Sequence, residues 1–295
     1  MLAIISHDAG GAEILSSYAR QEKLECLYVL EGPAQKIFKR KLGEIETCSL
    51  EEALRRSSLI LCGTSWQSDL EFDAIKQARS IGTRSVAFLD HWVNYVERFT
   101  RSGETWLPDE IWVGDGMAAS LAKELFPVTT IHQLENPYVS DIKRDLVATQ
   151  VSQESRLNNI RVLYVCEPVR EHALLRFGNE RHWGYIEEEA LRYFLANIAV
   201  LGTSIERVII RPHPSESVDK YKWAEYEFDL PIVMGGTRSL LEEIAESDVV
   251  VGCESMAMVI GLVAGKRVIS CIPANGKPCS LPHHEIEKLH NLHKM

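Results

Sequence analysis

Val208-Ile209-Ile210-Arg211-Pro212-His213-Pro214-Ser215 and, further along, Val249-Val250-Val251-Gly252-Cys253-Glu254-Ser255 decide how this chain is read. Each is a short β-branched run, as expected of a strand buried on both faces, followed at once by polar residues. In an open parallel sheet, ligands gather at the loops leaving the C-terminal ends of the strands. The first loop holds an Arg and a His stiffened by two prolines. The second opens a helical pattern from Met256 to about Ala264. Arg, His and a helix start on one edge suit a phosphate-bearing ligand.

Outward from these stretches the chain alternates short apolar runs with helical patterns of about ten residues, which calls for βαβ units and parallel sheets. In the first half, strands are expected at 2–6, 26–30, 59–62, 85–89 and 110–113, with helices at 12–21, 34–42, 51–56, 70–80 and 118–125. Asn136-Pro137-Tyr138 breaks the rhythm, and residues 141–159 are polar without strong periodicity, so a linker is placed there. The second series has strands at 161–165, 207–210, 231–233, 248–251 and 267–271. Its helices are expected at 185–201, 239–246 and after Ser255, with one last helix in the tail 283–295. The expected class is α/β, with two Rossmann-like parallel-sheet domains facing a cleft: 1–140 and 160–295, joined by the linker 141–159.

The 295 residues suit two domains rather than one core. A net charge of −10 argues against nucleic acid as a partner, since phosphate backbones need a basic surface. No apolar run approaches the ~18–20 residues of a membrane span. Met1-Leu2-Ala3-Ile4-Ile5-Ser6 lacks a basic leader and reads as a first strand. Seven scattered cysteines, among them Cys62 and Cys166 in strand-like runs, fit buried apolar thiols in a reducing cytoplasm. Lys36, Lys39, Arg40 and Lys41 on the helix at 34–42 either face solvent or touch the inner membrane face peripherally. His283, His284, His290 and His293 in the tail complete no zinc pattern, and no metal or cofactor is expected.

Among the candidate site residues, His213 can donate to a phosphate or protonate a departing oxygen, or simply cap its loop. Arg211 and Ser215 flank it. Gly235-Gly236-Thr237 is a flexible loop on the same edge and lacks the ending of a Walker loop. Glu254 can accept from ribose hydroxyls or act as an ordinary first-turn acid. Ser255 either caps its helix or, with the free N–H groups, meets an anion. In the first half, His7, Asp8, Gly10 and Gly11 follow the first strand without matching the dinucleotide fingerprint. Asp8 is the candidate base, with helix capping as its alternative role. Ser65, beside Trp66, and Asp90, His91 and Asn94 add loops of polar and aromatic character that suit a sugar.

Two Rossmann-like halves, a His-Pro motif in 211–215 and a Ser at the next helix start within 252–265 resemble the GT-B glycosyltransferases. The closer likeness is to the bacterial sialyltransferase, Kdo-transferase and glycerophosphotransferase groups. The resemblance implies that His213 contacts the donor phosphate, that Ser255 binds it at the helix start, and that Asp8 serves as base. The paired-acid-Gly signature of some members is absent. The expected activity is therefore a metal-independent glycosyltransferase of surface-polysaccharide assembly, joining a sugar from a nucleotide-activated or sugar-phosphate donor to a glycan or lipid-linked acceptor. The alternatives are a nucleotide-sugar epimerase or hydrolase of the same fold, or a non-catalytic sugar-nucleotide-binding protein.

Overall fold

The computed structural model describes residues 1–65, 68–148, 159–202 and 204–292. Trp66, His293 and residues 149–158 of the expected linker lie outside them. The chain forms two units, Met1–Asp141 and Ile142–Met295.

Unit 1 begins with β1 (Leu2–Ser6), α1 (Ala9–Gln21), β2 (Cys26–Leu30), α2 (Gly32–Leu42) and α3 (Leu50–Arg56). Then come β3 (Leu59–Cys62), α4 (Leu70–Ile81), β4 (Arg84–Leu89) and α5 (Tyr95–Arg98). A short hairpin of β5 (Thr100–Arg101) and β6 (Glu104–Thr105) precedes β7 (Glu110–Val113), α6 (Gly116–Leu125) and β8 (Thr130–Gln133). The helix α7 (Pro137–Ala148) carries the chain across the unit boundary.

The main sheet runs β2-β1-β3-β4-β7-β8, all parallel. Alternate residues feed two cores: Ala3, Ile5, Cys62 and Ala87 on one face with Ile75 of α4, and Ile4, Leu61 and Phe88 on the other with Leu15 of α1. Burial on both faces is why these strands read as unbroken apolar runs. With α1 and α4 on opposite faces, the crevice between β1 and β3 opens at their C-terminal ends.

Unit 2 contains β9 (Asn159–Val165), α8 (Val169–Phe177), α9 (Glu187–Ala196), a 3-10 turn (Ile198–Leu201) and β10 (Ser204–Arg211). It continues with α10 (Ala224–Glu227), β11 (Ile232–Met234), α11 (Leu240–Glu246), β12 (Val249–Gly252), α12 (Met256–Val263) and β13 (Arg267–Ser270). It ends with β14 (Glu287–Lys288) and α13 (Leu289–Leu292). The parallel order is β11-β10-β9-β12-β13-β14, so the chain changes direction across the sheet between β9 and β12. Tyr164, Leu191, Phe194, Ile210, Tyr221, Val251 and Ile269 share its core.

Both halves thus belong to the expected α/β class. Several local expectations are corrected. Residues 141–148, placed in the linker, are helical as the end of α7, with Asp141 and Ile142 buried. The helix expected over 185–201 stops at Asn197 and tightens into the 3-10 turn. Of the expected tail helix, the described residues form a two-residue strand, Glu287–Lys288, and one helical turn, Leu289–Leu292. Helix α8 was not expected, because it buries only Val169 and Ala173 and leaves Leu174 and Leu175 exposed, so no apolar stripe marks it.

Asp141 anchors the start of α7 to α1. Its carboxylate pairs with Arg20 Nη2 at 2.5 Å and accepts from Gln21 Nε2 at 2.9 Å. Burial acts to raise its pKa, but hydrogen bonds from Ser17, Arg20 and Gln21 prevail and hold it down at about 2. A carboxyl depressed in the fold adds stability above its unfolded pKa near 4, and that stability is lost as pH falls through about 2. Asp141→Asn should therefore cost about 2 kcal/mol at pH 7 and almost nothing near pH 2, read by urea denaturation.

Candidate functional site

The direction change in unit 2 brings the ends of β9 and β12 side by side. Gly252 permits the approach: a Cβ there would lie 2.8 Å from Val165 Cγ2 and 3.1 Å from the Val165 carbonyl oxygen. Across this junction Glu167 Oε1 accepts from the N–H groups of Cys253, at 3.0 Å, and Glu254, at 2.8 Å. Burial pushes the Glu167 carboxyl up to about 7, with the Glu254 charge adding and the backbone N–H groups opposing. Ser255 is the N-cap of α12, its Oγ accepting from Ala257 N–H at 3.2 Å. Glu254 is held by Lys277 Nζ at 2.6 Å and by Ser280 Oγ at 2.7 Å. Burial raises its pKa, but Lys277 and Ser280 outweigh that and keep it below the usual carboxyl range.

On the other side of β9 lies the end of β10. His213 N–H donates to Glu216 Oε2 at 3.0 Å, which fixes the turn. Its Nδ1 accepts from the Ser215 N–H at 3.2 Å and lies 2.8 Å from Ser215 Oγ. A backbone N–H can only donate, so the neutral ring carries its proton on Nε2. Among the described residues that Nε2–H has no protein acceptor. Burial lowers the pKa of His213, and nearby His172 lowers it further. His172, in the first turn of α8, is likewise lowered by burial.

Arg211 Nη1 donates to Glu243 Oε2 at 2.7 Å and to the Arg238 carbonyl at 2.9 Å. Glu243, buried, also accepts the Gly236 N–H at 2.7 Å. A Cβ on Gly235 would come within 2.7 Å of Ile209 Cγ2. Arg211, Gly235 and Gly236 thus form one cluster around Glu243, with Thr237 and Ser215 exposed beside it. His213 and Ser255 leave strands on either side of β9, about 10 Å apart by strand spacing, with Glu167 at the strand between them.

In unit 1 the loops after β1, β3 and β4 meet. A Cβ on Gly10 would fall 1.9 Å from Asp90 Oδ2, a clash that only glycine avoids without moving Asp90, and one on Gly11 would sit tightly at 3.1 Å from Gly63 Cα. Asp90 Oδ1 pairs with the buried Arg98 at 2.7 Å, and Arg98 also donates to Thr64 O at 2.5 Å. Asp8 occupies the N-cap position of α1 without a side-chain capping bond; its Oδ1 takes His7 Nδ1 at 2.7 Å. Ser65 is buried and accepts the Ser68 N–H at 3.1 Å. His91 Nδ1 accepts the Trp92 N–H at 3.0 Å, and Asn94 starts α5 in the left-handed region at φ +57.

Sequence reasoning missed Glu71, Glu167, His172 and Arg98. Glu71 is 3% exposed, and its Oε1 accepts the His7 N–H at 2.7 Å. Burial pushes its carboxyl up to about 7. Its Oε2, like Ser6 Oγ, is buried without a hydrogen-bond partner among the described residues. An acid in a first helical turn looks like an ordinary complement to the dipole, so no signal marked it.

The basic face of α2 is largely neutralised within unit 1. Lys41 pairs with Glu13 at 2.6 Å and lies over the Tyr138 ring, Arg40 also meets Glu13, and Lys39 meets Glu44 at 2.5 Å. No helix among the described residues is long and apolar enough to cross a membrane.

No protein-family model matches the sequence, and no curated protein matches it either. Solved structures do share the fold. The UDP-GlcNAc 2-epimerase of Neisseria meningitidis, bound to UDP-GlcNAc, superposes with a TM-score of 0.60 at 10% identity over 91% of this chain and 82% of that one. The Methanocaldococcus jannaschii UDP-GlcNAc 2-epimerase gives 0.57 at 10% identity over 91% and 83%. The glycotransferase of kitacinnamycin gives 0.53 at 12% identity over 93% and 80%. At such identities the likeness is one of fold. The chain is a protein of two parallel-sheet α/β units, the class expected from its GT-B resemblance.

Glu71 offers a direct test of the buried acid in unit 1. Its carboxyl titrates near 7 in the fold and near 4.5 when free, so the native state keeps the extra proton between these values. Stability should then fall as pH rises from about 4.5 through 7. Glu71→Gln keeps an acceptor for the His7 N–H and should add up to ~3 kcal/mol at pH 8, with little change at pH 5. Denaturation at both pH values reads this out, and an equal effect at the two would discard the assignment.

Proposed function

We propose that the chain processes a nucleotide-activated sugar and is, in its first reading, a glycosyltransferase. The observation that carries this is His213: a neutral imidazole, oriented by Ser215 at the C-terminal edge of the sheet, whose Nε2–H meets no acceptor among the described residues. Such a donor is suited to charge that develops on a departing phosphate oxygen. In the proposed reaction the bond from the anomeric carbon to that oxygen breaks, and the electron pair stays with the phosphate. An acceptor hydroxyl attacks the carbon, and its proton passes to a carboxylate base, the role that the GT-B resemblance implies for Asp8. His213 meets the leaving-group charge without calling on a metal ion. The GT-B resemblance supports a glycan or lipid-linked acceptor of surface-polysaccharide assembly at the cytoplasmic side.

A second reading has specific support. Two of the solved structures sharing the fold are UDP-GlcNAc 2-epimerases, one of them holding UDP-GlcNAc. An epimerase or hydrolase would convert the sugar nucleotide with no acceptor present, whereas a transferase needs one. NMR of UDP-GlcNAc incubated with the protein alone separates the two, and a non-catalytic binder would leave the compound unchanged with every acceptor.

The decisive experiment is a thermal-shift screen with UDP, CMP, CDP and GDP and their sugar conjugates, followed by turnover assays. A ligand at a hundredfold its Kd stabilises by about 2.7 kcal/mol, which is readily seen. His213→Ala should keep the fold and lower turnover at least ~100-fold. No shift with any nucleotide, or near-normal turnover in His213→Ala, removes the reading.

A further inference from the structure

Ser270 and Lys288 are paired in register at the ends of β13 and β14, and a cavity of about 250 Å³ opens there. Among the described residues its lining comes entirely from the stretch 270–290. Ile272, Pro273, Ala274 and Pro278 give it apolar walls, and Lys288 and His290 bring nitrogen to it. The wall is fixed by the fold. Gly276 N–H closes a turn on the Pro273 carbonyl at 2.8 Å, and a Cβ on Gly276 would lie 2.7 Å from Tyr185 Cδ1. Lys277 N–H and Asn275 Nδ2 tie the same turn to the carbonyls of Trp183, at 2.9 Å, and Gly184, at 3.1 Å.

The chain carries 42 acids against 32 lysines and arginines, and the neighbouring cations have acids as partners. Lys277, on the rim, is held by Glu254 at 2.6 Å and lies over the Trp183 ring. Arg267, at the start of β13, is paired with Glu287 at 2.7 Å. Lys288 and His290 differ: among the described residues neither has an acidic partner, and no Asp or Glu lines the cavity. An ammonium and an imidazole N–H on one concave wall, with no counter-charge, favour an anion. Size selects further. At roughly 30 Å³ per water the cavity holds about eight waters, the volume of a molecule of about ten non-hydrogen atoms. It lies below the ~300–1,000 Å³ of pockets that take drug-sized ligands, so a nucleotide is too large for it.

We propose that this cavity binds a small organic anion, a compact apolar body bearing a carboxylate or a phosphate, with Lys288 and His290 on the charged group and Ile272 and Pro278 on the body. The site is separate from the donor-binding reading of unit 2 and does not rest on it.

NMR titration of the full-length protein, followed at the Ile272 and Ala274 methyl groups, tests the site with benzoate, phenyl phosphate, benzyl alcohol and inorganic phosphate. Benzoate or phenyl phosphate should move both signals at about 1 mM, the tighter of the two identifying the charged group. Benzyl alcohol has the body without the charge, and inorganic phosphate the charge without the body. Each should bind at least about tenfold more weakly. Lys288→Ala and His290→Ala should each weaken the organic anion about tenfold, and Lys288→Arg should keep it. The proposal falls if neither organic anion moves the methyl signals, or if benzyl alcohol or inorganic phosphate binds as tightly. It falls equally if both alanine variants bind as the parent protein does. Such results leave the donor-binding reading standing, since that is tested by the nucleotide screen.

Discussion

A single carboxylate spans the junction on which unit 2 depends. Glu167, leaving β9, takes the N–H groups that end β12, and it can do so because Gly252 lets the two strand ends close to van der Waals distance. Backbone donors at a strand end must find partners, and here the partner comes from the neighbouring strand rather than from water. That bond sets where α12 begins and turns Glu254 toward Lys277 and Ser280. The position a phosphate would occupy in many open sheets is therefore filled from within the chain.

Unit 1 solves the same problem with different residues. Its direction change lies between β1 and β3, and there Glu71 reaches from α4 to the His7 N–H. Asp90, locked by Arg98, packs against Gly10 at the start of α1. In each unit burial pushes one carboxyl up to about 7: Glu71 behind the loop after β1, and Glu167 on the loop after β9, where it reaches the end of β12. Desolvation of an acid is tolerated because backbone N–H groups meet it in place of water. His7 and Asp8, paired at 2.7 Å, stay partly exposed at the end of β1.

Much of this frame was legible from local pattern. The β-branched runs at 208–210 and 249–251 are strands because both sheet faces are covered, and the polar residues that follow them do lie on one edge. The prolines around His213 do mark a tight turn, with Glu216 closing it. Helix α8 escaped notice because an exposed Leu174-Leu175 pair has no helical stripe. Arg211 reads as a free cation in sequence, yet in the fold it neutralises the buried Glu243 thirty-two positions away.

The sequence alone determined the α/β class, the parallel strands and the loops able to carry chemistry, because periodicity and strand-end composition are properties of neighbouring residues. Tertiary structure alone decided the order of strands, and hence which loops adjoin. That order sets Glu167 between His213 and Ser255, assigns Glu243 to Arg211 and buries Glu71 beneath His7. An acid in a loop has the same one-letter identity whether water solvates it or a distant strand end donates to it. Only the pairing of residues far apart in the chain distinguishes the two.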